Sequence, residues 1–313
     1  MKVSVLMITY NHEEFIAQAL DSVLMQQVNF DYEIVVGEDC STDNTRDILI
    51  GYQQKHPDKI RLLLPEKNLG MHENFFQTFK ACKGNYIALL EGDDYWISPQ
   101  KLQKQIDFLD HHQNCSFCFT NALIISHNNS QTYWMNDYQT NSWIPPKEKQ
   151  GILTLEDLIK PFNPIITASV TFRHGLIKEF PIWLYNLGML DWLIHILNAQ
   201  FGDIGHIDEI TAAYRVHSGG IWSQKNKIEN LLGIAKMYEY LKSNLDLKWK
   251  NKIGLVLSEI YQEIATIYLL DRDKSNARNY INKSLLEYFK VEKKISINKL
   301  MSALNAYTPN FIQ

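Results

Sequence analysis

Three carboxylates lie within four residues of one another, at Glu91, Asp93 and Asp94, directly after a predicted strand. The apolar run before them, residues 86–90, lies between two glycines, which is typical of a strand buried on both faces. Carboxylates held this close repel each other and lose hydration, so a fold keeps them together chiefly where they share a cation or hydrogen-bond donors. The alternative is an exposed acidic turn. The buried strand before the cluster and Tyr95-Trp96 after it favour a site for Mg²⁺ or Mn²⁺.

Strands and helices alternate along the first ninety residues, which is the pattern of βαβ units in an open parallel sheet. Ligands of such sheets bind outside the carboxyl ends of the strands. Thr9-Tyr10, Glu38-Asp39 and Asp93-Asp94 each follow a different strand, so we expect them to converge at one edge. The predicted elements are strands at residues 2–10, 32–36, 60–64 and 86–90 and helices at residues 13–26, 45–55 and 74–82.

Two common nucleotide-binding signatures are missing from the sequence. No GxGxxG follows the first strand, and no GxxxxGK[ST] occurs anywhere. Neither a dinucleotide-binding fold nor a P-loop is therefore supported. A nucleotide held by carboxylates and a metal, without a glycine cradle, remains compatible with the pattern.

Length and composition are those of a globular protein with one large domain and an appendage. The chain has 313 residues, of which 45% are hydrophobic and 21% charged. We expect no segment with the roughly 20 apolar residues that span a bilayer, and the first apolar run is too short for a signal peptide. The expected location is the cytoplasm. Cys115 and Cys118 form a CxxC within an apolar run, which indicates buried structural thiols.

Charge is distributed unevenly along the chain. Residues 1–225 contain 17 Lys and Arg against 26 Asp and Glu, a net charge of −9, and residues 226–313 contain 14 against 9, a net charge of +5. The acidic body argues against nucleic acid as a partner. The basic tail is compatible with peripheral contact to an anionic membrane face or to a partner protein, or with an ordinary solvated helix face.

Several stretches in a fixed order resemble the family 2 glycosyltransferases of the GT-A fold. They are VSVLMITYN at the first strand, VVGEDCSTDNT after the second, NLG before a helix, GNYIALLEGDDYW, and LDWLIHILNAQFGDIGHIDEITAAYRVHSGGIWS at residues 190–223. The resemblance covers roughly residues 1–225. It implies an α/β fold with a mostly parallel, twisted sheet flanked by helices, followed here by an all-α C-terminal region.

The same resemblance implies donor-binding roles. Asp39 would receive the base of the nucleotide, expected to be uracil, and Thr9 and Tyr10 would line that pocket. Glu38, next to Asp39, belongs to the same expected binding set. From these residues alone, an Asx-type turn is the alternative for Asp43 and for Asp39; we favour it for Asp43 only.

Further donor-side roles follow from the later motifs. Asn68 and Gly70 of the NLG motif are expected to contact the nucleotide. Asp93 would meet the ribose or the metal, and Asp94 would bind the Mn²⁺ or Mg²⁺ that bridges the diphosphate. Glu91 stands where many members carry Asp, which keeps the charge and leaves its direct role open.

The closing segment supplies the remaining candidates. Asp191 precedes a helical pattern, where it is a candidate N-cap and, by the resemblance, the general base. His195 lies among apolar residues of that helix, and we interpret it as structural. Arg215 and His217 alternate and so point to one side of an extended chain. By the resemblance, that motif closes over the diphosphate, with His217 completing the metal shell.

Acceptor-side and C-terminal features are less specific. Residues 165–173 are predicted to form a strand on which Thr167 and Ser169 face the acceptor, and residues 128–146 form either an acceptor loop or a surface loop. We expect a catalytic domain at 1–225 and a helical appendage at 226–313. Apolar and small residues of that appendage have the spacing of a tetratricopeptide hairpin: Ala265, Tyr268, Ala277, Ile281 and Ser284.

The resemblance implies a metal-dependent, inverting transferase. It would move a sugar from a nucleotide-diphosphate donor, expected to be UDP-linked, to a hydroxyl of a saccharide or lipid-linked saccharide, in synthesis of cell-surface polysaccharide or glycan. One alternative is a nucleotidyltransferase, which would normally need a basic or glycine-rich phosphate loop that residues 8–14 lack. Another is an inactive protein that binds a sugar nucleotide or acts as a scaffold.

Overall fold

A computed structural model describes residues 1–126, 132–134, 151–163, 165–220 and 225–294. Within these ranges ten strands form one sheet, in the order β3-β2-β1-β4-β9-β6-β10-β5, with β7 paired to β6 and β8 to β10. The α/β fold class is confirmed. The strands are β1 Val3–Thr9, β2 Tyr32–Glu38, β3 Ile60–Leu63, β4 Tyr86–Glu91, β5 Tyr95–Trp96, β6 Cys115–Ser126, β7 Thr132–Trp134, β8 Ile152–Leu153, β9 Val170–Arg173 and β10 Asp203–Val216. The helices are α1 Ile16–Leu24, α2 Thr45–Lys55, α3 Met71–Ala81, α4 Lys101–His111, α5 Leu155–Leu158, α6 Asp191–Asn198, α7 Lys227–Asn244, α8 Lys250–Leu270 and α9 Lys274–Glu292.

Strand β1 lies at the centre of the parallel half of the sheet, between β2 and β4. Its residue Thr9 is in register with Glu38 of β2, and Ile8 is in register with Glu91 of β4. The ladder extends beyond the strands, because Asp39 N donates to Thr9 O over 3.0 Å and Gly92 N donates to Ile8 O over 3.0 Å. Parallel strands in this register bring the polar residues after β1, β2 and β4 to one edge.

The other half of the sheet is mixed. Strand β9 is antiparallel to β4 and β6, whereas the long strand β10 is parallel to β6 and antiparallel to the short strand β5. Ala213 of β10 is in register with Tyr95 of β5, one residue after Asp94. The end of β10 therefore returns the chain to the acidic cluster.

The predicted strand at residues 165–173 is only partly correct. Its second half is β9, but Thr167–Ser169 forms a 3-10 turn. The carbonyl groups of Ala168 and Ser169 accept hydrogen bonds from the side chains of Trp96 and Gln105, over 2.9 and 2.8 Å, instead of from a neighbouring strand. Side-chain donors therefore replace the strand ladder at this point.

The core lies on both faces of the central strands and against amphipathic helices. Val3, Val5 and Met7 of β1 have no exposed area, and Leu6, on the opposite face, is also buried. Burial on both faces is what the continuous apolar run of β1 indicates. Helix α1 contributes a buried stripe at helical spacing: Ile16, Ala19, Leu20 and Val23.

Backbone packing divides the chain into two compact units. The first comprises Met1–Leu155, Pro164–Leu184 and Leu190–His217, and the second comprises Glu156–Asn163, Tyr185–Met189 and Ser218–Gln313. The sheet and the candidate site belong to the first unit. The predicted domain boundary at residue 225 stays a prediction.

The second unit contains the helices α7, α8 and α9, which confirms the all-helical C-terminal region. Helices α8 and α9 form a hairpin, with Ala265 and Ile281 buried between them and Ser258 and Ser284 hydrogen-bonded across them. Asp273 accepts a hydrogen bond from Asn276 N and caps α9. The likeness to a tetratricopeptide unit stays a prediction.

Among the described residues, one helical segment, Leu247–Leu270, is long and apolar enough by length and composition to cross a membrane. This differs from our expectation that no segment would qualify. Half of its apolar window is buried inside the protein, as in the core helix of many globular proteins. The residues buried from this helix include Ile253, Leu257 and Ile264.

Lys101, the first residue of α4, is an amine buried in the core of the first unit. It has no exposed area, its Nζ donates to Gln105 Oε1 over 2.6 Å, and Nζ lies 4.4 Å from the centre of the Trp96 ring. Burial lowers the pKa of Lys101 to about 7, although the nearby Cys118 thiol opposes that shift. Proton uptake by this amine therefore favours the unfolded chain.

We expect Lys101→Met to stabilise the protein at pH 7, by about 2–4 kcal/mol from the lowered pKa. The unfolded lysine keeps its proton up to its ordinary pKa, whereas the folded one releases it above pH 7. The penalty is therefore complete below pH 7 and disappears as the pH rises towards the ordinary lysine pKa. Urea unfolding at pH 7 and pH 10 measures it.

Lys104→Met is the matched control for this measurement, because Lys104 is on the same helix but is exposed and paired with the exposed Glu209. Its effect should stay within about 0.5 kcal/mol. A Lys101→Met protein that is less stable than wild type at pH 7, or whose advantage does not shrink at pH 10, contradicts the prediction.

Candidate functional site

The loop with the NLG motif encloses Asp39 at the end of β2. Asp39 Oδ1 accepts from Leu69 N over 2.6 Å, and Oδ2 accepts from Gly70 N over 2.9 Å. Asn68 Nδ2 donates to the backbone carbonyl of Asp39 over 2.9 Å. Gly70 has φ of +82°, a conformation that favours glycine. The predicted residues Asp39, Asn68 and Gly70 are thus brought together, with Asp39 only 3% exposed.

Glu38 is fully buried and shapes the loop after β2. Its Oε1 accepts from Ser41 N over 2.6 Å, and its Oε2 accepts from Arg46 Nε over 2.5 Å. Both carboxylate oxygens of Glu38 therefore already accept hydrogen bonds from the protein. The prediction that Glu38 contacts the nucleotide stays a prediction.

Thr9 and Tyr10, at the end of β1, differ in exposure. Thr9 is 3% exposed, whereas Tyr10 is 42% exposed.

Asp43 lies in the loop after β2. Its Oδ1 accepts from Thr45 N over 2.9 Å, which is the expected Asx-type turn.

The acidic cluster is compact. Glu91, Asp93 and Asp94 each place a carboxylate oxygen within 4.8 Å of the others. Asp94 has no exposed area: its Oδ1 accepts from Arg215 N over 2.9 Å, and its Oδ2 has no hydrogen-bond partner among the described residues. A buried carboxylate oxygen without a partner is costly unless a cation or a water completes it.

The electrostatics of the cluster also favour a cation. Burial, then the Asp93 and Asp191 carboxylates, hold the pKa of Glu91 well above its usual range, and burial with Asp93 and Glu91 does the same for Asp94. Burial also raises the pKa of Asp93, but the hydrogen bond with His217 and the nearby His12 outweigh it and lower that pKa. A shared divalent cation would stabilise all three ionised carboxylates. The donor set therefore fits Mg²⁺ or Mn²⁺.

Cationic and imidazole groups surround Asp93. His217 Nε2 lies 3.0 Å from Asp93 Oδ2, and Arg215 Nη1 donates to the backbone carbonyl of Asp93 over 2.5 Å. Arg215 also donates to Gln18 Oε1 over 2.7 Å, and its Cζ lies 4.6 Å from the centre of the Phe15 ring and 5.1 Å from that of Tyr95. The side chains of Arg215 and His217 thus both contact Asp93, which agrees with the prediction that they point to the same side of the chain.

His12 is a site residue that the sequence analysis missed. Its Nε2 lies 3.7 Å from Asp93 Oδ2, and its Nδ1 lies 3.1 Å from Thr9 Oγ1. A Cβ added at Gly92 would lie 2.5 Å from Thr9 Oγ1 and 3.0 Å from His12 Nδ1, so glycine permits this close approach of the two strand ends. In the sequence, His12 lies between the first predicted strand and the helix that follows it, with no motif that marks it as a site residue.

Asp191 is the first residue of α6 and contacts the turn before β9. Thr167 Oγ1 donates to Asp191 Oδ2 over 3.3 Å. The N-cap of α6 is Leu190, so the interpretation of Asp191 as the N-cap is wrong: Asp191 already has its place in the first helical turn. The Asp191 carboxylate is the smallest of the three contributions that raise the pKa of Glu91, after burial and Asp93.

Two other residues of this region are buried. Ser169 has no exposed area and donates to Ile166 O over 2.6 Å, so its side chain serves the turn. His195 is 1% exposed, its ring stacks on that of Phe117 at 5.8 Å, and burial lowers its pKa to about 3. The structural interpretation of His195 is confirmed.

Several proteins match most of this chain in sequence. An uncharacterized protein of Mycobacterium tuberculosis is 36% identical over 220 residues, which are 70% of this chain and 60% of that relative, so the chain matches less than two thirds of the mycobacterial protein. The protein named UDP-Glc:alpha-D-GlcNAc-diphosphoundecaprenol beta-1,3-glucosyltransferase WfgD, from Escherichia coli, is 35% identical over 235 residues, 72% of this chain and 81% of its own length.

A solved structure shares the fold. It is the mannosyltransferase PcManGT from Pyrobaculum calidifontis in complex with GDP-Man and Mn²⁺, with a TM-score of 0.59, 14% identity, and coverage of 96% of this chain and 77% of that chain. The family model described as glycosyl transferase family 2 matches residues 4–168. With more than half of its residues in that match and its strand ends arranged as described, the chain belongs to glycosyl transferase family 2.

Proposed function

We propose that this protein is a metal-dependent, inverting glycosyltransferase that moves a sugar from a UDP-linked donor to a hydroxyl of a saccharide or lipid-linked saccharide, in synthesis of cell-surface polysaccharide or glycan. The observation that carries the proposal is Asp94, a buried carboxylate with one oxygen unpartnered among the described residues, in a cluster of three acids. The family membership and the name of the E. coli relative support the donor and acceptor classes.

The base of the nucleotide is proposed to bind beside Asp39. The carboxylate of Asp39 is held by two backbone N–H groups and still has lone pairs that can accept from a uracil N–H. Thr9 and Tyr10 would line this pocket, and Asn68 and Gly70 would form its wall. Because these groups are held before the ligand arrives, little ordering is lost on binding.

Asp94 and His217 are proposed to hold Mn²⁺ or Mg²⁺, with Asp93 towards the ribose or the metal. Such an ion, when bound, supplies positive charge for the diphosphate. The structure of PcManGT with Mn²⁺ and the chemistry of the acidic cluster support a divalent ion. Arg215, fixed by Asp93, Gln18 and two aromatic rings, would add a guanidinium that stabilises the departing diphosphate.

Asp191 is proposed as the general base. Its position at the start of α6 places the carboxylate at the positive end of the helix dipole, which favours the ionised form. The carboxylate would take the proton of the acceptor hydroxyl as that oxygen attacks the anomeric carbon from the side opposite the diphosphate. One displacement of this kind inverts the configuration at that carbon.

We further propose that the basic C-terminal helices contact an anionic membrane face, where a lipid-linked acceptor would lie. The +5 charge of residues 226–313 is the reason. The full chain should sediment with vesicles that contain 30% phosphatidylserine and not with pure phosphatidylcholine vesicles. Equal sedimentation with both, or with neither, contradicts a charge-driven contact.

Asp94→Ala should abolish Mn²⁺-dependent binding of UDP while the protein stays folded. Removal of one charged ligand from a small oxygen shell leaves a gap that water fills poorly. Calorimetric titration of UDP with and without Mn²⁺ measures the effect, and Asp58→Ala, an exposed aspartate, is the control. Unchanged UDP affinity in Asp94→Ala would sink the metal assignment.

Asp191→Asn should lower turnover by ~10²-fold or more, the usual scale for loss of a general base. The amide keeps the size of the side chain but cannot take up the acceptor proton. Turnover is measured as UDP release from UDP-glucose with an undecaprenyl-diphosphate-linked N-acetylglucosamine acceptor. UDP affinity and melting temperature should stay near wild type; a fall in melting temperature with turnover retained assigns Asp191 a structural role only.

A further inference from the structure

A buried set of hydrogen bonds fastens the turn Thr167–Ser169 to β5 and α4. The Trp96 indole Nε1 donates to Ala168 O over 2.9 Å, and Gln105 Nε2 donates to Ser169 O over 2.8 Å. Both donors and both acceptors are buried. Two consecutive carbonyl groups are thus held by side chains that are themselves immobilised in the core.

The donors are in turn fixed from several sides. Gln105 Oε1 accepts from Lys101 Nζ over 2.6 Å and from Thr171 Oγ1 over 2.8 Å. The backbone of Trp96 donates to Ser22 Oγ over 3.0 Å, and its ring lies under Lys101. The position of the turn is therefore set by α1, α4, β5 and β9 together.

Thr167 is the only residue of this turn that is not fully buried, since Ala168 and Ser169 have no exposed area. Its hydroxyl donates to Asp191 Oδ2 over 3.3 Å. The fixed turn thus presents a single side-chain donor to the carboxylate at the start of α6. An immobile donor of this kind restricts the rotation of the carboxylate it binds.

We propose that Thr167 is a positioning residue that orients the carboxylate of Asp191 for proton transfer, with Trp96 and Gln105 fixing the turn that carries it. This inference rests on the proposed function, in which Asp191 is the base. A general base acts only within hydrogen-bond reach of the proton it removes, so a carboxylate that rotates freely spends less time in the productive geometry. Substitution of Thr167 would therefore lower turnover and leave the affinity for the nucleotide donor unchanged.

Thr167→Val should lower turnover by about 10-fold with UDP affinity unchanged, because valine keeps the shape but cannot donate to Asp191. Thr167→Ser, which keeps the hydroxyl, should have a turnover within about 3-fold of wild type. Thr266→Val is the control: Thr266 is an exposed threonine of α8 whose hydroxyl donates to Gln262 O over 2.9 Å, and it belongs to none of the contacts that hold the turn. It should keep turnover near wild type.

The double variant Thr167→Val/Asp191→Asn separates positioning from stability. It should turn over no more slowly than Asp191→Asn alone, since Thr167 acts through Asp191. Wild-type turnover in Thr167→Val, or an equal further loss in the Asp191→Asn background, overturns the proposal. Wild-type turnover in Asp191→Asn overturns the base assignment and the positioning role with it.

Crystal structures of the wild type and of Thr167→Val provide a readout that needs no substrate. The wild type should show one orientation of the Asp191 carboxylate, and the variant should show a rotated or a multiple one. The same orientation in both overturns the proposal even if no acceptor has been found. If the wild type does not bind UDP, the proposed function is contradicted. The comparison of the Asp191 orientation in the two crystal structures tests the role of Thr167 alone.

Discussion

Burial of like charges at the end of β4 is the constraint on which the rest of the site depends. Glu91, Asp93 and Asp94 cannot all be ionised at such separations without compensation, and Asp94 is fully inside the protein. The protein supplies part of that compensation through Arg215 N, Arg215 Nη1 and His217. One oxygen of Asp94 remains without a partner in the described structure, and this is why a divalent ion is the proposed completion.

The two halves of the sheet meet that constraint in different ways. The parallel half, β3-β2-β1-β4, aligns its carboxyl ends so that Asp39, Thr9 and the acidic cluster share one edge. The mixed half returns β10 alongside β5 and brings Arg215 to Asp93 and Asp94. The proposed donor side thus comes from regular strand ends, and its charge compensation comes from a strand far along the chain.

The proposed acceptor side depends on buried side chains more than on backbone pairing. Trp96 and Gln105 hold carbonyl groups that a strand neighbour would otherwise bind, and the resulting turn places Thr167 against Asp191. Lys101, whose pKa burial lowers to about 7, belongs to the same set of contacts. The buried amine of Lys101 and the buried amide of Gln105 would destabilise the fold if they had no hydrogen-bond partners. Their hydrogen bonds therefore favour one arrangement of this region.

Local sequence determined the features that need only near neighbours. The alternation of strands and helices, the buried run of β4, the acids that follow it and the helical C-terminal region are all readable from periodicity and residue type, because burial and backbone geometry impose them locally. The sequence also marked Asp39, Asp94, Asp191, Arg215 and His217, through motifs in a fixed order.

Only the tertiary structure decided which of these groups meet and what else they touch. His12 approaches Asp93 through packing of neighbouring strand ends, which no local pattern encodes. The tertiary structure also decided that Asp43 accepts from Thr45 N, whereas the buried Glu38 accepts from Arg46 Nε. Residues 167–169 contain the same types as a strand, yet form a turn because Trp96 and Gln105, more than sixty residues away in sequence, bind their carbonyl groups. Contacts across such separations depend on how the whole sheet closes, and no local pattern records them.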